Sequence, residues 1–229
     1  MPSISIVIPA HNEEKYLEKT LQSLQQQTYD DYEAIVVANG CTDKTEEILK
    51  QQAKGKKVRY LSLPQPNVSV ARNAGALNAN GPLLLFLDAD TKLAPDSLQT
   101  IHDQFTPSHA IATTRSRPDP STFRYRSLLA LKNFYNTTGL YHGCSGALIC
   151  RKDDFQAVGG YDPAHHVREH HLLIQKLRGK GNYNCINTYA TTSMRRYERW
   201  GVAKAVSFWI RHWIKQKMGK LNGNYDAIR

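Results

Sequence analysis

The chain has 229 residues, 41% of them apolar and 22% charged, an ordinary globular composition able to bury one sizeable core. Thirty Lys and Arg against twenty Asp and Glu leave a net charge of +10. No stretch approaches the roughly 20 apolar residues of a membrane-spanning helix. The four cysteines (Cys41, Cys144, Cys150, Cys185) lack any Cys-x-x-Cys spacing and are expected to be reduced.

In chain order, 4–8 (Ile4-Ser5-Ile6-Val7-Ile8) reads as a strand with no basic leader before it, so a cytoplasmic location is expected. Helical spacing follows over 13–27, where Leu17, Leu21 and Leu24 share a face; Asn12 is the expected N-cap, with Glu13 and Glu14 in the first turn. Strands are expected at 33–38 and 57–63, with a helix over 43–53 capped by Thr42 or Asp43. The Ala- and Asn-rich connection 69–80 stops at Gly81-Pro82, and Leu83 to Leu87 form a buried strand. Repeated strand–helix–strand units predict an α/β protein with a parallel sheet and right-handed crossovers.

Asp88-Ala89-Asp90 follows that strand directly. Carboxylates at the carboxyl end of a parallel strand lie where open α/β sheets bind ligands. Such a pair suits Mg²⁺ or Mn²⁺, which take oxygen ligands and leave positions for substrate phosphates. The plainer reading is a turn running through Thr91 to Asp96. Further on, 115–122 reads as an exposed loop, 143–150 as a strand after a glycine-rich bend, 159–163 as a turn, and 167–178 as a helix. A boundary near residue 92 divides one domain, 1–194, into a ligand half (1–92) and a second half (93–194) sharing one sheet.

Residues 195–229 carry nine Lys and Arg against Glu198 and Asp226, so most of the positive charge belongs to this segment. Val202, Val206, Trp209, Ile210 and Trp213 fall on one helical face, with Lys204, Arg211 and Lys215 opposite. That pattern fits a helix packed on its own domain or one lying on an anionic membrane, the peripheral contact expected over 195–218. No nucleic-acid module is recognised, and nucleic-acid binding is not expected.

The turn after the first strand, Pro9-Ala10-His11-Asn12-Glu13, lacks the glycines of a dinucleotide site, and no P-loop exists. A phosphate grip must therefore come from side chains and metal. Ser5 to Glu14, Val36 to Thr45, Ala71-Arg72-Asn73-Ala74-Gly75 and Leu87-Asp88-Ala89-Asp90 resemble, in order, the motifs of family 2 glycosyltransferases. Gly146-Ala147-Leu148, Val158 to Asp162 and Glu169-His170-His171-Leu172 are similar to that family's acceptor-side motifs, so the resemblance covers roughly residues 3–180.

The resemblance implies a GT-A fold, a Rossmann-like mostly parallel central sheet flanked by helices, here with a basic C-terminal helical segment. It implies inverting transfer from a nucleotide-sugar donor to a hydroxyl on a sugar, lipid-linked or other acceptor, with Mg²⁺ or Mn²⁺. Pro9, His11, Glu13, Asn39, Arg72, Asp88 and Ala89 would bind the nucleotide-sugar; Asp88 and Asp90 would hold the metal. The family commonly has Asp where Asn39 stands, so UDP- and GDP-sugars both remain open. Its base is commonly the aspartate of a Glu-Asp pair; here Glu169 is the expected base and His170 its competitor, alongside Asp90 as catalytic metal ligand. The alternatives are a noncatalytic nucleotide-sugar-binding or membrane-associated scaffold of the same fold, and a nucleotidyltransferase, whose glycine- and basic-rich signature is missing.

Overall fold

The computed structural model describes residues 1–53, 57–144, 146–165 and 168–217. Their strands form one eight-stranded sheet, ordered β3-β2-β1-β4-β7-β6-β8-β5. The first half supplies β1 (Ile4–Ala10), α1 (Leu17–Gln25), β2 (Tyr32–Asn39), α2 (Thr45–Gln52), β3 (Val58–Leu63), α3 (Val68–Leu77) and β4 (Leu83–Leu87). β3, β2, β1 and β4 are all parallel. The second half adds β5 (Thr91–Leu93), α4 (Ser97–Gln104), β6 (His109–Asp119), α5 (Phe123–Thr137), β7 (Ala147–Arg151), α6 (Lys152–Ala157), α7 (Glu169–Leu177) and β8 (Asn182–Ser193). β7 enters antiparallel between β4 and β6, so the two halves share one continuous sheet.

Every residue of β1 and β2 is buried, because helices cover both faces of the sheet. Side-chain alternation sends Ile4, Ile6, Ile8, Leu85 and Leu87 to one core with Leu17, Leu21 and Leu24 of α1. Val7, Leu84 and Phe86 face the other core with Ala71 of α3 and Leu173, Ile174 and Leu177 of α7. α3 lies so near β1 that a Cβ on Gly75 would come within 2.3 Å of Val7 Cγ1. Glycine at this position lets the helix carry its polar residues onto the strand ends.

Four local expectations are corrected. α1 begins at Leu17 rather than 13: Asn12 has φ 55°, and its side chain binds Thr42 N (2.8 Å) instead of capping the helix. Asp43 accepts from Thr45 N (3.0 Å) and Glu14 N (3.1 Å), tying the loops after β1 and β2 together. Residues 115–119 are not loop but the end of β6, where Ser116 and Pro118 are buried through pairing with β8. The C-terminal segment is two helices, α8 (Arg195–Trp200) and α9 (Val202–Lys217), separated at Gly201 with φ 79°. Ala205 is its buried anchor and Val202, Val206 and Trp209 are half-buried; Ile210, expected on that face, is 52% exposed. The Trp213 side chain and residues 218–229 lie outside the described residues. No helix among the described residues is long and apolar enough to cross a membrane.

Candidate active site

β1, β2 and β4 run parallel and end together, which brings His11, Asn39 and Asp88 to one edge of the sheet. β1 lies between β2 and β4, so the chain reverses its direction of winding there, leaving a crevice at the strand ends. His11 Nδ1 bonds the Asn39 carbonyl. Asn39 is 4% exposed, and its Oδ1 accepts from Asn67 N (2.8 Å). Asn67 in turn caps α3 by accepting from Val70 N (3.1 Å). Pro9 lies within β1, in register with Val37.

Arg72, on the second turn of α3, links the halves. Its side chain is 4% exposed; Nη2 donates to Asp88 Oδ1 (2.9 Å) and Nη1 to Glu169 Oε1 (2.9 Å). Its guanidinium also stands 5.2 Å from the Tyr161 ring centre. Tyr161 is fixed to the neighbouring residue of α3, since Asn73 accepts from Tyr161 N (3.0 Å) and donates to its carbonyl (2.8 Å). Burial alone would push Asp88 and Glu169 up, but Arg72 holds both carboxyls below the usual carboxylate range. Asp88 keeps 37% of its side chain exposed, so it can still meet a ligand.

A second cation reaches the other carboxylates. Arg195, at the start of α8, grips both oxygens of Glu13 (2.6 and 2.8 Å) and stands 3.1 Å from Asp90 Oδ2. Burial, then the charges of Asp88 and Glu13, drives the Asp90 carboxyl up to about 7 despite Arg195. Glu13 is raised for the same first reason, burial. Ala89 contributes its carbonyl to the frame, accepting from Thr20 Oγ1 (2.7 Å). The sequence reading missed Arg195. The density of charge in 195–229 pointed to that segment, but its pairing with Glu13, 182 residues earlier, has no local signal.

Glu169 and His170 open α7 behind Arg168, which takes a left-handed φ of 60°. His170 Nδ1 lies 2.9 Å from the Tyr161 hydroxyl, while its buried Nε2 has no hydrogen-bond partner among the described residues. Burial and the nearby Arg72 charge push its pKa down to about 4, so the ring is neutral at pH 7. Lys132 of α5 is also turned inward; its amine donates to the Cys144 carbonyl (3.0 Å), and burial lowers its pKa.

No cluster of three or more His, Cys, Asp or Glu among the described residues forms a self-sufficient metal site. Asp88 and Asp90 offer hard oxygens at a crevice, which suits Mg²⁺ or Mn²⁺ completing its shell with phosphates and water. The fit carries one condition: the Arg195 guanidinium now beside Asp90 must share or cede that oxygen.

The sequence profile of the Glycosyl transferase family 2 matches residues 5–194. An uncharacterized glycosyltransferase from Haemophilus influenzae is 35% identical over 115 residues, covering 49% of this chain and 46% of that protein. Validoxylamine A glucosyltransferase from Streptomyces hygroscopicus subsp. limoneus is 33% identical over 105 residues, 44% of this chain and 23% of its own length. The chain thus spans less than half the length of these curated relatives. Among solved structures, the mannosyltransferase PcManGT from Pyrobaculum calidifontis, in complex with GDP-Man and Mn²⁺, superposes with a TM-score of 0.69 at 18% identity. That match covers 92% of this chain and 64% of the other. A TarS fragment from S. aureus in complex with UDP-GlcNAc gives 0.66 at 19% identity, covering 85% and 59%. At such identities the superpositions establish the fold, which is that of GT-A glycosyltransferases.

Proposed function

Because the chain belongs to glycosyl transferase family 2, we propose that its crevice binds a nucleotide-sugar with a divalent cation and passes the sugar to an acceptor hydroxyl with inversion. The observation that carries this reading is Arg72. One guanidinium joins Asp88, at the donor end of β4, to Glu169, at the start of the acceptor-side helix 97 residues later. The nucleoside would lie over Pro9, His11, Glu13 and Asn39, with Arg72, Asp88 and Ala89 beside the diphosphate.

Asp88 and Asp90 are the residues that would hold Mg²⁺ or Mn²⁺, and when bound the cation supplies Lewis-acid stabilisation of the departing diphosphate. The protein's own part is positioning and proton transfer. The acceptor oxygen attacks the anomeric carbon opposite the leaving group; the bond to the nucleoside diphosphate breaks, and the acceptor proton passes to a base. Glu169 and His170 are the two candidates for that base. The geometry favours His170, since Glu169 is engaged by Arg72 whereas His170 Nε2 has no partner among the described residues. The low basicity of His170 weakens it as a base, and this is what keeps the noncatalytic scaffold as the second reading. A cytoplasmic protein touching the inner membrane face through 195–218 completes the proposal, in which α9 offers exposed Ile210, Arg211 and Ile214.

Thermal shift with a panel of UDP- and GDP-sugars, with and without Mn²⁺, tests donor and metal together. Stabilisation by one nucleotide series, enlarged by Mn²⁺, is expected; no shift with any donor would sink the reading. Turnover of Glu169→Gln and His170→Ala then separates enzyme from scaffold. A loss of about 10²–10⁴-fold in His170→Ala identifies the base. Unchanged turnover in both variants removes the assignment.

A further inference from the structure

We infer that the outward face of α5 and the turn after it form a docking surface for an anionic lipid bilayer. The inner side of α5 buries Leu129 together with polar groups: Asn133 bonds both backbone groups of Ser116 (2.8 and 2.9 Å), Lys132 reaches the Cys144 carbonyl, and Asn136 is buried. Its outer side carries Phe123, Leu131 and Phe134, which are 83%, 55% and 56% exposed, and Leu140 beyond its end is 71% exposed. A helix on a globular domain ordinarily turns its apolar stripe inward. Of the eleven large apolar side chains exposed among the described residues, six lie in 123–141, so this is a patch rather than scatter.

Charge selects the partner. No Asp or Glu occurs between Asp119 and Asp153, while Arg124 and Arg126 are exposed on the first turn of the same helix. Aromatic and leucyl side chains flanked by arginines, with no acidic residue in the same segment, fit the boundary between acyl chains and anionic headgroups. A second copy of the chain fits worse. A two-fold interface through this patch would bring Arg124 and Arg126 against their own counterparts with no carboxylate from the segment to meet them. The placement is also suited to delivery of an acceptor. Tyr125 stands 6.3 Å from Tyr197 of α8, the helix whose Arg195 reaches Asp90, so a bilayer on the outer side would lie beside the crevice. The partner is the same as that proposed for 195–218, but the inference rests on α5 alone.

The test is sedimentation of the full chain with phosphatidylcholine vesicles and with vesicles containing 30% phosphatidylglycerol, in the absence of any sugar donor. Binding is expected to the anionic vesicles, weakened about tenfold by Phe123→Ser/Leu131→Ser/Phe134→Ser and similarly by Arg124→Glu/Arg126→Glu. Should the triple variant misfold, the exposed arginine pair decides. Ile210→Ser/Ile214→Ser isolates the C-terminal contact. Loss in that variant alone, no binding by the wild type, or a dimer abolished by the triple variant would each overturn the inference. None of these outcomes bears on sugar transfer, which the donor panel reads separately.

Discussion

The two halves of the sheet are finished to different degrees. In the first, the loops after β1 and β2 close on each other through Asn12–Thr42, Glu13–Thr45 and Glu14–Asp43 bonds, and Asn39 fixes the cap of α3. Among the described residues up to 92, Arg72 Nε is the only buried side-chain polar atom without a hydrogen-bond partner. In the second half Thr114, Ser116, Asn136, Arg168 and His170 all hold such atoms. Buried polar atoms are ordinarily satisfied, so a cluster of exceptions marks groups that water or a ligand completes. The first half is a preassembled frame. The second half keeps more of its buried polar atoms unpaired among the described residues.

Arg72→Ala is the severest way to break that contrast, because Arg72 belongs to both halves. Its loss leaves Asp88 and Glu169 as neighbouring carboxylates with no cation between them, a cost of about 3 kcal/mol in stability. Donor turnover is expected to fall by about 10³-fold, and Arg72→Lys to recover little of it, since an ammonium cannot bridge two carboxylates in the same plane. Chemical denaturation and turnover check the two effects separately. A variant that keeps wild-type stability and activity would show that the halves do not depend on this link.

Acidification should act on the second half through its buried histidines. His170 is neutral in the folded protein down to about pH 4, whereas an unfolded histidine takes up a proton below about 6.5. The unfolded state therefore binds more protons between those values. The stability is complete above about 6.5 and is lost as pH falls towards 4, by about 2 kcal/mol at pH 5 from this residue. His171, also lowered to about 4 by burial and Arg168, adds to the same trend. Unfolding midpoints at pH 7 and 5 check this, and His170→Asn should flatten the dependence. An unchanged slope in that variant would place the acid sensitivity elsewhere.

The same contrast governs what could be read in advance. β4 was legible to the residue, and β1 to β3 to within two, because runs such as Leu83 to Leu87 are buried on both faces and carry their own signal. Asp88 and Asp90 were legible as a pair since their position follows from the strand before them. Loop and edge conformations were not: Asn12 looked like a cap but serves the neighbouring loop, and 115–119 looked like a loop because its arginines and proline conceal a strand held by β8. Arg195 was illegible for a different reason. It depends on a contact 182 residues away, and nothing in Arg195-Arg196-Tyr197 specifies Glu13.

Arg195→Ala sharpens the comparison at the crevice itself. Removing the guanidinium frees Asp90 and Glu13, so Mn²⁺ should bind the nucleotide-free protein up to about tenfold more tightly by calorimetry, a change worth roughly 1.4 kcal/mol. Unchanged affinity would mean that Arg195 and the cation do not meet on Asp90.

The smallest expected effect belongs to the preassembled side. Asn67→Ala removes the side-chain cap of α3 and the bond from Nδ2 to the Pro163 carbonyl (3.1 Å), for a loss of about 1 kcal/mol. The backbone N–H of residue 67 survives the substitution, and with it the bond to Asn39 Oδ1. If the donor frame is held by many such bonds, nucleotide affinity should change less than threefold while the unfolding midpoint falls. A drop in affinity larger than the drop in stability would mean that α3 is poised by its cap, and that Arg72 loses its place when the first turn frays.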